Sequence, residues 1–259
     1  MKILYGVQGT GNGHVTRARA MAAAIRSHGV RVDYLFSGRP KHNYFDMQEF
    51  GAWRSRPGLT FSSHNGKIDY LQTVFKNRYW TFAKDVWSLD LSPYDLIITD
   101  FEPISAWAGR VRGKTVISMG HQPAFDYPVP VAGADLRSRL VMKMFAPGNI
   151  RIGMHWDSFG APLLPPLIDL NCSDATTTPR KLLVYLPFED QEIVRRVMAE
   201  LREYECFAYA PNSECVSLGN VHLRPTSLVG FRSDLKDCSA VLCSAGFELA
   251  SECMALGKQ

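Results

Sequence analysis

The sequence predicts an α/β protein built from two parallel-sheet domains, and three features of its pattern carry this expectation. Short apolar runs rich in β-branched residues alternate with helical patterns along most of the 259 residues. A proline-rich segment separates an earlier group of these runs from a later one, and a glycine-rich loop follows the first run directly. Strands joined by crossover helices form parallel sheets that are covered on both faces.

The predicted strands are short apolar runs bounded by turns or by helical patterns. In chain order they are KILYGV, VRVDYLF, DLIITDF, KTVISMG, NIRIGMHW, KLLVYLP, CFAYA, NVHLRP and AVLCSAG. The first predicted helix follows the first strand, and Gly29 is placed to end it. Its apolar face is formed by Val15, Ala18, Met21, Ala22 and Ile25.

The domain boundaries follow from the segment DSFGAPLLPPLIDLNCSDATTTPR, which is rich in proline and turn-forming residues. We expect an N-terminal Rossmann-like domain over residues 1–160, a linker over 161–178 and a second domain of the same type over 179–259. The second domain offers few strand-like runs, whereas nucleotide-binding α/β domains usually have about five or six strands. We therefore expect it to be incomplete in this chain.

Composition and charge argue against several classes of protein. With 46% hydrophobic residues the chain can bury a sizeable core, and a formal net charge of +4 is too small to indicate a nucleic-acid groove. There is no signal peptide and no run of about eighteen apolar residues, which predicts a soluble, cytoplasmic protein. The cysteines lack the spacing of metal ligands and are typical of reduced thiols. They are Cys172, Cys206, Cys215, Cys238, Cys243 and Cys253.

The loop GTGNGH follows the first strand and opens a helix, so its backbone N–H groups are suited to bind an anion or a hydroxyl. Its spacing is not that of the dinucleotide-binding fingerprint. No acidic residue ends the second predicted strand, in which Asp33 lies near the middle. A nicotinamide-dependent enzyme is therefore a poor fit.

His14 and Asp100 are the candidate catalytic residues, because each lies at the carboxyl end of a predicted strand, where α/β sheets bind ligands. An imidazole held by a carboxylate is the arrangement of a general base and the residue that orients it. Two structural alternatives stay open at this point. His14 is equally typical of a helix-start residue with local hydrogen bonds, and Asp100 of the N-cap of the helix in EPISAWAGR.

These residues lie in a chain that resembles the two-domain glycosyltransferases of the GT-B fold, in particular the MurG-like and UDP-glucuronosyltransferase-related groups. The stretch GTGNGHVTRARAMA is similar to the N-terminal glycine loop of MurG-type enzymes, with Asn12 in place of a family glycine. The resemblance implies that Gly11, Asn12 and Gly13 contact the acceptor, that His14 is the general base and that Asp100 holds it.

Two further motifs extend the resemblance along the chain. VISMGHQPAF looks like the MurG-type H-E-Q-N segment, which implies that His121 and Gln122 contact the acceptor. GFRSDLKDCSAVLCSAGFELASECMALGK is similar to the family's nucleotide-sugar site. This likeness implies that Phe231 lines the base pocket and that Glu252 accepts hydrogen bonds from the ribose hydroxyls. The diphosphate would bind at the helix start formed by Ser244, Ala245 and Gly246.

Structural alternatives stay open for these motifs, and one loop departs from the family pattern. His121 and Gln122 are also typical of a turn before a proline, and Glu252 of a solvated helix face. Where the family has a glycine-serine diphosphate loop, this chain has Leu186 and Pro187. Proline has no backbone N–H to donate, which argues against phosphate binding by that loop.

The resemblance implies a glycosyltransferase that moves a sugar from a nucleotide donor, a UDP-sugar, to a hydroxyl of a glycan or lipid-linked acceptor, as in cell-wall or cell-surface glycan synthesis. It implies no cofactor, and the absence of a D-x-D sequence argues against a metal-bound donor. The alternatives are a GT-B-fold nucleotide-sugar epimerase and a non-catalytic nucleotide-sugar-binding protein.

Two segments bear on the acceptor and on membrane contact. KIDYLQTVFKNRYWTFAKDVW is dense in aromatic residues, and DLRSRLVMKMFAP combines apolar residues with basic ones. Both suit a lipid-linked or membrane-proximal acceptor and peripheral contact with the inner face of a membrane. The alternative of core-facing helices with basic outer faces is favoured over this for both segments.

Overall fold

The computed structural model describes residues 1–61, 63–64, 67–68, 73, 75, 77–131, 136–169, 175–210 and 214–259. The chain divides into two compact units. Unit 1 comprises Met1–Thr60 and Val74–Asp169, and unit 2 comprises Phe61–Thr73 and Leu170–Gln259. The chain passes from unit 1 to unit 2 twice, after residue 60 and after residue 169. The second of these boundaries lies within residues 161–178, the segment expected to be the linker.

Unit 1 is built on a six-stranded sheet in the order β3-β2-β1-β6-β7-β8, in which every neighbouring pair is parallel. The two short segments β4 and β5, Ser63–His64 and Lys67–Ile68, pair with each other as antiparallel strands and fall in unit 2. The six strands of the sheet are β1 (Lys2–Gln8), β2 (Arg31–Ser37), β3 (Arg54–Arg56), β6 (Leu96–Asp100), β7 (Val116–Gly120) and β8 (Ile150–Gly153).

The helices described in unit 1 follow the strands as crossovers, and residues 122–126 form a 3-10 turn after β7. Apolar residues of β1, β6 and the third helix are fully buried and meet in one core cluster, which includes Leu4, Ile97 and Ile104. The helices are α1 (Asn12–Ser27), α2 (Tyr79–Ser88), α3 (Pro103–Val111) and α4 (Leu136–Phe145).

Helix α3 is fixed at its start by a fully buried carboxylate. Glu102 is its N-cap, and the carboxylate oxygens accept hydrogen bonds from the backbone N–H groups of Ile104, at 2.8 Å, and Ser105, at 2.6 Å. Pro103 occupies the first helical position, where no intrahelical N–H bond is lost. The N-cap is therefore Glu102, and Asp100 does not have that role.

Gly6 in β1 lies directly against this capped helix start. A Cβ atom at residue 6 would lie 1.9 Å from Ser105 Oγ and 2.8 Å from Glu102 Oε2. Gly6→Ala is therefore expected to lower the free energy of unfolding by about 1–3 kcal/mol, the usual cost of overpacking, as measured by urea denaturation. A Gly6→Ala/Ser105→Ala double variant should recover part of that loss. Wild-type stability of Gly6→Ala would contradict the close packing.

Unit 2 is built on a five-stranded sheet in the order β11-β12-β10-β9-β13, parallel except for the edge pair β11–β12. Lys181 and Asp234, both largely buried, form an ion pair at 2.8 Å between β9 and the second helix of this unit. The strands are β9 (Lys181–Tyr185), β10 (Glu205–Ala210), β11 (Val216–Leu218), β12 (Val221–Pro225) and β13 (Ala240–Cys243). The helices are α5 (Gln191–Glu200), α6 (Leu228–Asp237) and α7 (Phe247–Ala255).

The nine apolar runs in the sequence correspond to β1, β2, β6, β7, β8, β9, β10, β12 and β13, so the expected α/β class with parallel sheets is confirmed. The sequence pattern missed β3, β11 and the β4–β5 pair, which span only two or three residues each. Strands this short carry too few residues to show an alternating pattern.

Candidate functional site

The predicted catalytic residues lie at the point where the strand order of unit 1 reverses. Strands β2 and β3 lie on one side of β1, and β6, β7 and β8 lie on the other, so β1 and β6 are neighbours at the reversal. Parallel α/β sheets bind ligands outside the carboxyl ends of the strands at this position. The glycine loop follows β1, and Asp100 is the last residue of β6.

His14 and Asp100 form a hydrogen-bonded pair, as expected for a base and the residue that orients it. His14 Nδ1 lies 2.7 Å from Asp100 Oδ1. The carboxylate is completely buried, whereas 17% of the His14 side chain is exposed. A third residue, Arg17, donates from Nε to Asp100 Oδ2 at 2.7 Å and from Nη2 to Asp100 Oδ1 at 2.8 Å.

The charge state of Asp100 fixes the tautomer of His14. Burial raises the pKa of Asp100, but the neighbouring Arg17 and His14 outweigh it and bring this pKa down to about 2. An ionised carboxylate only accepts hydrogen bonds, so the proton in the 2.7 Å contact belongs to His14 Nδ1. The other ring nitrogen, Nε2, then carries the lone pair that a general base needs.

Two further residues shape the surroundings of this pair. The ring of Phe101 stacks on His14 with centroids 6.1 Å apart, and Phe101 has a positive φ of 54°. Gly120, at the end of β7, has a φ of +136°, and a Cβ at this position would lie 3.0 Å from Arg17 Nη2 and 3.2 Å from Asp100 Oδ1. Neither residue was singled out from the sequence.

The glycine loop is continuous with the start of α1. Gly11 is the N-cap, and Asn12 and Gly13 are the first two residues of the helix. Asn12 Oδ1 accepts a hydrogen bond from Arg39 Nη1 at 2.7 Å, which brings a guanidinium beside the loop. Gly11, Asn12 and Gly13 are all partly exposed, as residues that contact an acceptor must be.

His121 and Gln122 directly follow β7, which ends at Gly120. His121 Nδ1 donates to the carbonyl of Met154 at 3.0 Å, and burial lowers the pKa of His121 to about 4, so the ring is neutral at neutral pH. Gln122 opens the 3-10 turn 122–126, and its Oε1 is buried without a hydrogen-bond partner among the described residues. The end of β7 therefore holds a neutral imidazole and a buried amide oxygen.

Several aromatic side chains lie around His121. The ring centroid of Phe125 lies 4.8 Å from that of His121, and those of His155 and Trp156 lie 5.2 and 6.1 Å away. Trp156 is 47% exposed and Phe159, in contact with His155, is 42% exposed. The end of β7 therefore combines neutral polar atoms with exposed aromatic surface.

In unit 2 the predicted diphosphate residues lie at a second reversal of strand order, between β9 and β13. Ser244, Ala245 and Gly246 follow β13, are exposed and lead into α7. Gly246 is the N-cap of α7, without a side-chain cap from the described residues, and a Cβ placed there would have no described atom within 4 Å. Ala245 has a positive φ of 51°, a conformation that alanine seldom adopts.

The loop after β9 is built differently from this helix start. Asp190 caps α5, and its carboxylate accepts hydrogen bonds from the backbone N–H groups of Glu192 and Ile193 at 2.9 and 3.3 Å. The N-terminus of α5 thus has a side-chain cap, whereas that of α7 has none from the described residues, although Glu248 lies in its first turn. This difference agrees with the expectation that Leu186 and Pro187 do not cradle a phosphate.

Glu252 is buried and Phe231 is partly buried in unit 2. Glu252 lies on α7 and is only 6% exposed, so it does not belong to a solvated helix face. Phe231 does not directly follow a strand: it lies within α6 and packs against Tyr185 and Tyr209, with centroids 5.2 and 5.3 Å away. A nearby cavity of about 270 Å³ at the carboxyl end of β12 is lined by Tyr209, Ser227 and Gly230, among other residues.

The sequence analysis missed Arg17, although a signal for it existed. Arg17 lies three residues after His14 on α1, and side chains at this spacing share a helix face. It also interrupts the apolar stripe between Val15 and Ala18, and all three are buried. An arginine within a buried stripe needs a buried partner, which is Asp100.

Exposed apolar side chains lie on helices α2 and α4 of unit 1. They are Tyr79, Trp80 and Trp87 on α2 and Leu140, Val141 and Met144 on α4. The side chains of residues 136–139 and much of the aromatic segment between residues 62 and 76 lie outside the described residues. Within the described part of the chain, no helix has the length and hydropathy needed to cross a membrane.

Comparisons with known proteins concern the family of the chain and its fold. The sequence profile described as glycosyl transferase family 1 matches residues 1–259. No curated protein matches the sequence significantly.

Among solved structures, three similar ones are informative. MurG of Acinetobacter baumannii shares 15% identity at a TM-score of 0.53, with 99% of this chain and 76% of that chain covered. Arabidopsis thaliana UGT89C1, complexed with quercetin, shares 12% identity at a TM-score of 0.62, with 100% of this chain and 77% of that chain covered. The Streptomyces sp. SF2575 glycosyltransferase SsfS6, complexed with thymidine diphosphate, shares 13% identity at a TM-score of 0.57, with 100% of this chain and 80% of that chain covered. These likenesses confirm the expected GT-B fold.

Proposed function

The chain belongs to glycosyl transferase family 1, and we propose that it transfers a sugar from a nucleotide donor to a hydroxyl of an acceptor. The observation that carries this proposal is the 2.7 Å pair of His14 and Asp100 at the switch point of unit 1. The donor is a UDP-sugar, and the acceptor is a glycan or a lipid-linked molecule of the cell wall or cell surface. Unit 1 binds the acceptor, and unit 2 binds the donor.

The reaction is a direct displacement at the anomeric carbon. His14 Nε2 takes the proton of the acceptor hydroxyl while the acceptor oxygen forms a bond to the anomeric carbon. The bond from that carbon to the diphosphate oxygen breaks, and the nucleoside diphosphate leaves with the bonding electrons. Asp100 holds the His14 ring and stabilises its protonated form.

The donor site lies at the start of α7. Ser244, Ala245 and Gly246 are exposed, and N–H groups at a helix start stabilise the negative charge of a leaving diphosphate. Glu252 binds the ribose hydroxyls, and Phe231 acts indirectly, by packing against Tyr209 beside the cavity in which the base binds. A thymidine diphosphate complex of SsfS6 supports a nucleoside diphosphate as the product.

The acceptor site comprises the glycine loop and the end of β7. Gly11, Asn12 and Gly13 present backbone to the acceptor, and His121 and Gln122 accept hydrogen bonds from its hydroxyls. The exposed apolar side chains of α2 and α4 fit an acceptor that is anchored at the inner face of a membrane. This surface would place the protein in the cytoplasm and in peripheral contact with lipid.

Donor turnover with and without acceptor tests this function. The purified chain is incubated with UDP-sugars and dTDP-sugars, first alone and then with glycan and polyprenol-linked acceptors, and the products are separated by mass spectrometry. Acceptor-dependent release of the nucleoside diphosphate supports transfer. Isomerised nucleotide-sugar without acceptor would identify an epimerase, and tight donor binding without turnover in any mixture would identify a binding protein.

A further inference from the structure

We infer that Arg17 is a positioning residue for the His14–Asp100 pair: its guanidinium holds both oxygens of the carboxylate, so that Asp100 keeps the His14 proton on Nδ1. This inference assigns a role to a residue that the proposed mechanism does not name. The inference rests on the proposed function only where turnover is measured. The position of the proton on the His14 ring is measured without any reaction.

The geometry gives Arg17 control over the orientation of Asp100. Nε and Nη2 donate to Oδ2 and Oδ1 at 2.7 and 2.8 Å, which is the bidentate pairing of a guanidinium with a carboxylate. Both oxygens are held, so rotation of the carboxylate about its Cβ–Cγ bond would break two charge-assisted hydrogen bonds. Oδ1 therefore stays 2.7 Å from His14 Nδ1.

Burial makes Arg17 the counterion that permits an ionised Asp100. The Asp100 side chain is 0% exposed and that of Arg17 is 2% exposed, so water compensates neither charge. An isolated carboxylate in such surroundings would bind a proton, and a protonated carboxyl can donate to an imidazole instead of accepting from it. Without Arg17, the direction of the His14–Asp100 hydrogen bond is no longer fixed.

Arg17 also faces the ring that it helps to position. Its Nη2 lies 3.1 Å from His14 Nδ1, and it interacts electrostatically with His121 beyond β7. A guanidinium this close opposes an added positive charge on the imidazole, whereas Asp100 favours it. Gly120 closes this side of the pair, since a Cβ there would lie 3.0 Å from Arg17 Nη2.

The test compares Arg17→Met, Arg17→Lys and Asp100→Asn with a matched control on the same helix. Arg19 is also 2% exposed, but its Nε pairs with Glu49 Oε1 at 2.7 Å, so Arg19→Met removes a buried arginine that does not contact Asp100. Nitrogen NMR of the His14 ring in the full chain reports which nitrogen carries the proton. Turnover is measured on the donor and acceptor identified above, with kcat and KM determined separately.

Wild type and Arg19→Met are expected to show the proton on Nδ1, and Arg17→Met to move most of it to Nε2. The kcat of Arg17→Met should fall by about tenfold or more, within the range that a positioned base contributes. Adding Asp100→Asn to Arg17→Met should cost less than about threefold further, because coupled residues do not act additively. Arg17→Lys keeps the charge without the two-point contact and should show an intermediate proton distribution.

An Nδ1 signal in Arg17→Met equal to that of wild type would overturn the inference, as would losses of kcat that multiply in the double variant. If Arg17→Met does not fold, the test rests on Arg17→Lys. A proton position in Arg17→Lys identical to that of wild type would show that the two-point contact with Asp100 does not position the proton, and would overturn the inference. If wild type transfers no sugar but Arg17→Met still shifts the proton, the proposed function fails and the positioning role stands.

Discussion

Replacement of His14 by alanine is expected to lower turnover by about a hundredfold or more while leaving nucleotide affinity nearly unchanged. A positioned general base contributes roughly a hundred- to ten-thousand-fold in rate. His14 is the partly exposed member of a pair whose carboxylate is completely buried, so it is the member that an acceptor hydroxyl can reach. Nucleotide affinity should be unaffected, because the proposed donor residues all belong to unit 2. Steady-state kinetics and calorimetry measure the two quantities.

Two further variants serve as comparisons for His14→Ala. His28 follows α1 at its other end and is exposed, so His28→Ala should retain turnover. Asp100→Asn keeps the shape of the side chain and should lose less than His14→Ala, with an altered pH–rate profile, because an amide stabilises the protonated ring less than a carboxylate does. Near-normal turnover of His14→Ala would leave the loop with a structural or acceptor-binding role and remove the base from the mechanism.

Glu252→Ala is expected to weaken binding of the nucleoside diphosphate by about 1.5–3 kcal/mol, the usual contribution of a charge-assisted hydrogen bond. This corresponds to roughly a ten- to hundredfold increase in Kd, which calorimetry with UDP can resolve. Glu252 lies on α7, the helix whose start is exposed at Ser244, Ala245 and Gly246. A carboxylate there can accept hydrogen bonds from both ribose hydroxyls.

The matched control for this variant is Glu248→Ala. Glu248 lies one turn earlier on α7 and is 7% exposed, compared with 6% for Glu252, so both variants remove a buried carboxylate from one helix. Thermal melts report the loss of stability that the two share. Equal loss of affinity in both variants would indicate a local structural effect, and unchanged affinity in Glu252→Ala would remove that residue from the site.

The sequence predicted the pairing of His14 with Asp100, although 86 residues separate them. The reason is geometric: both follow strands, and neighbouring parallel strands end at the same edge of a sheet. The order of the strands decided that β1 and β6 are neighbours, and this depends on long-range packing that no local pattern contains. The likeness to known glycosyltransferases supplied that part of the prediction.

Residues whose roles depend on exposure were harder to predict. Arg17 lies within the apolar stripe of α1, which indicates burial, but its partner Asp100 is 83 residues away and is known only from the structure. Glu252 is typical of a solvated helix face in sequence but is buried in the structure. Phe231 has a core-like environment between two tyrosines, because α6 begins before it and turns it toward the sheet.

Gly120 limits how this site can vary. A side chain at residue 120 is opposed twice, by a φ of +136° that L-residues seldom adopt and by the guanidinium 3.0 Å from the Cβ position. A side chain at residue 120 would therefore displace Arg17 or Asp100, the two residues that hold His14. The next residue along the chain, His121, lies outside the hydrogen bonds that join Arg17 to Asp100. In the proposed function, Gly120 therefore separates the contact that holds the base from the acceptor residues that follow β7.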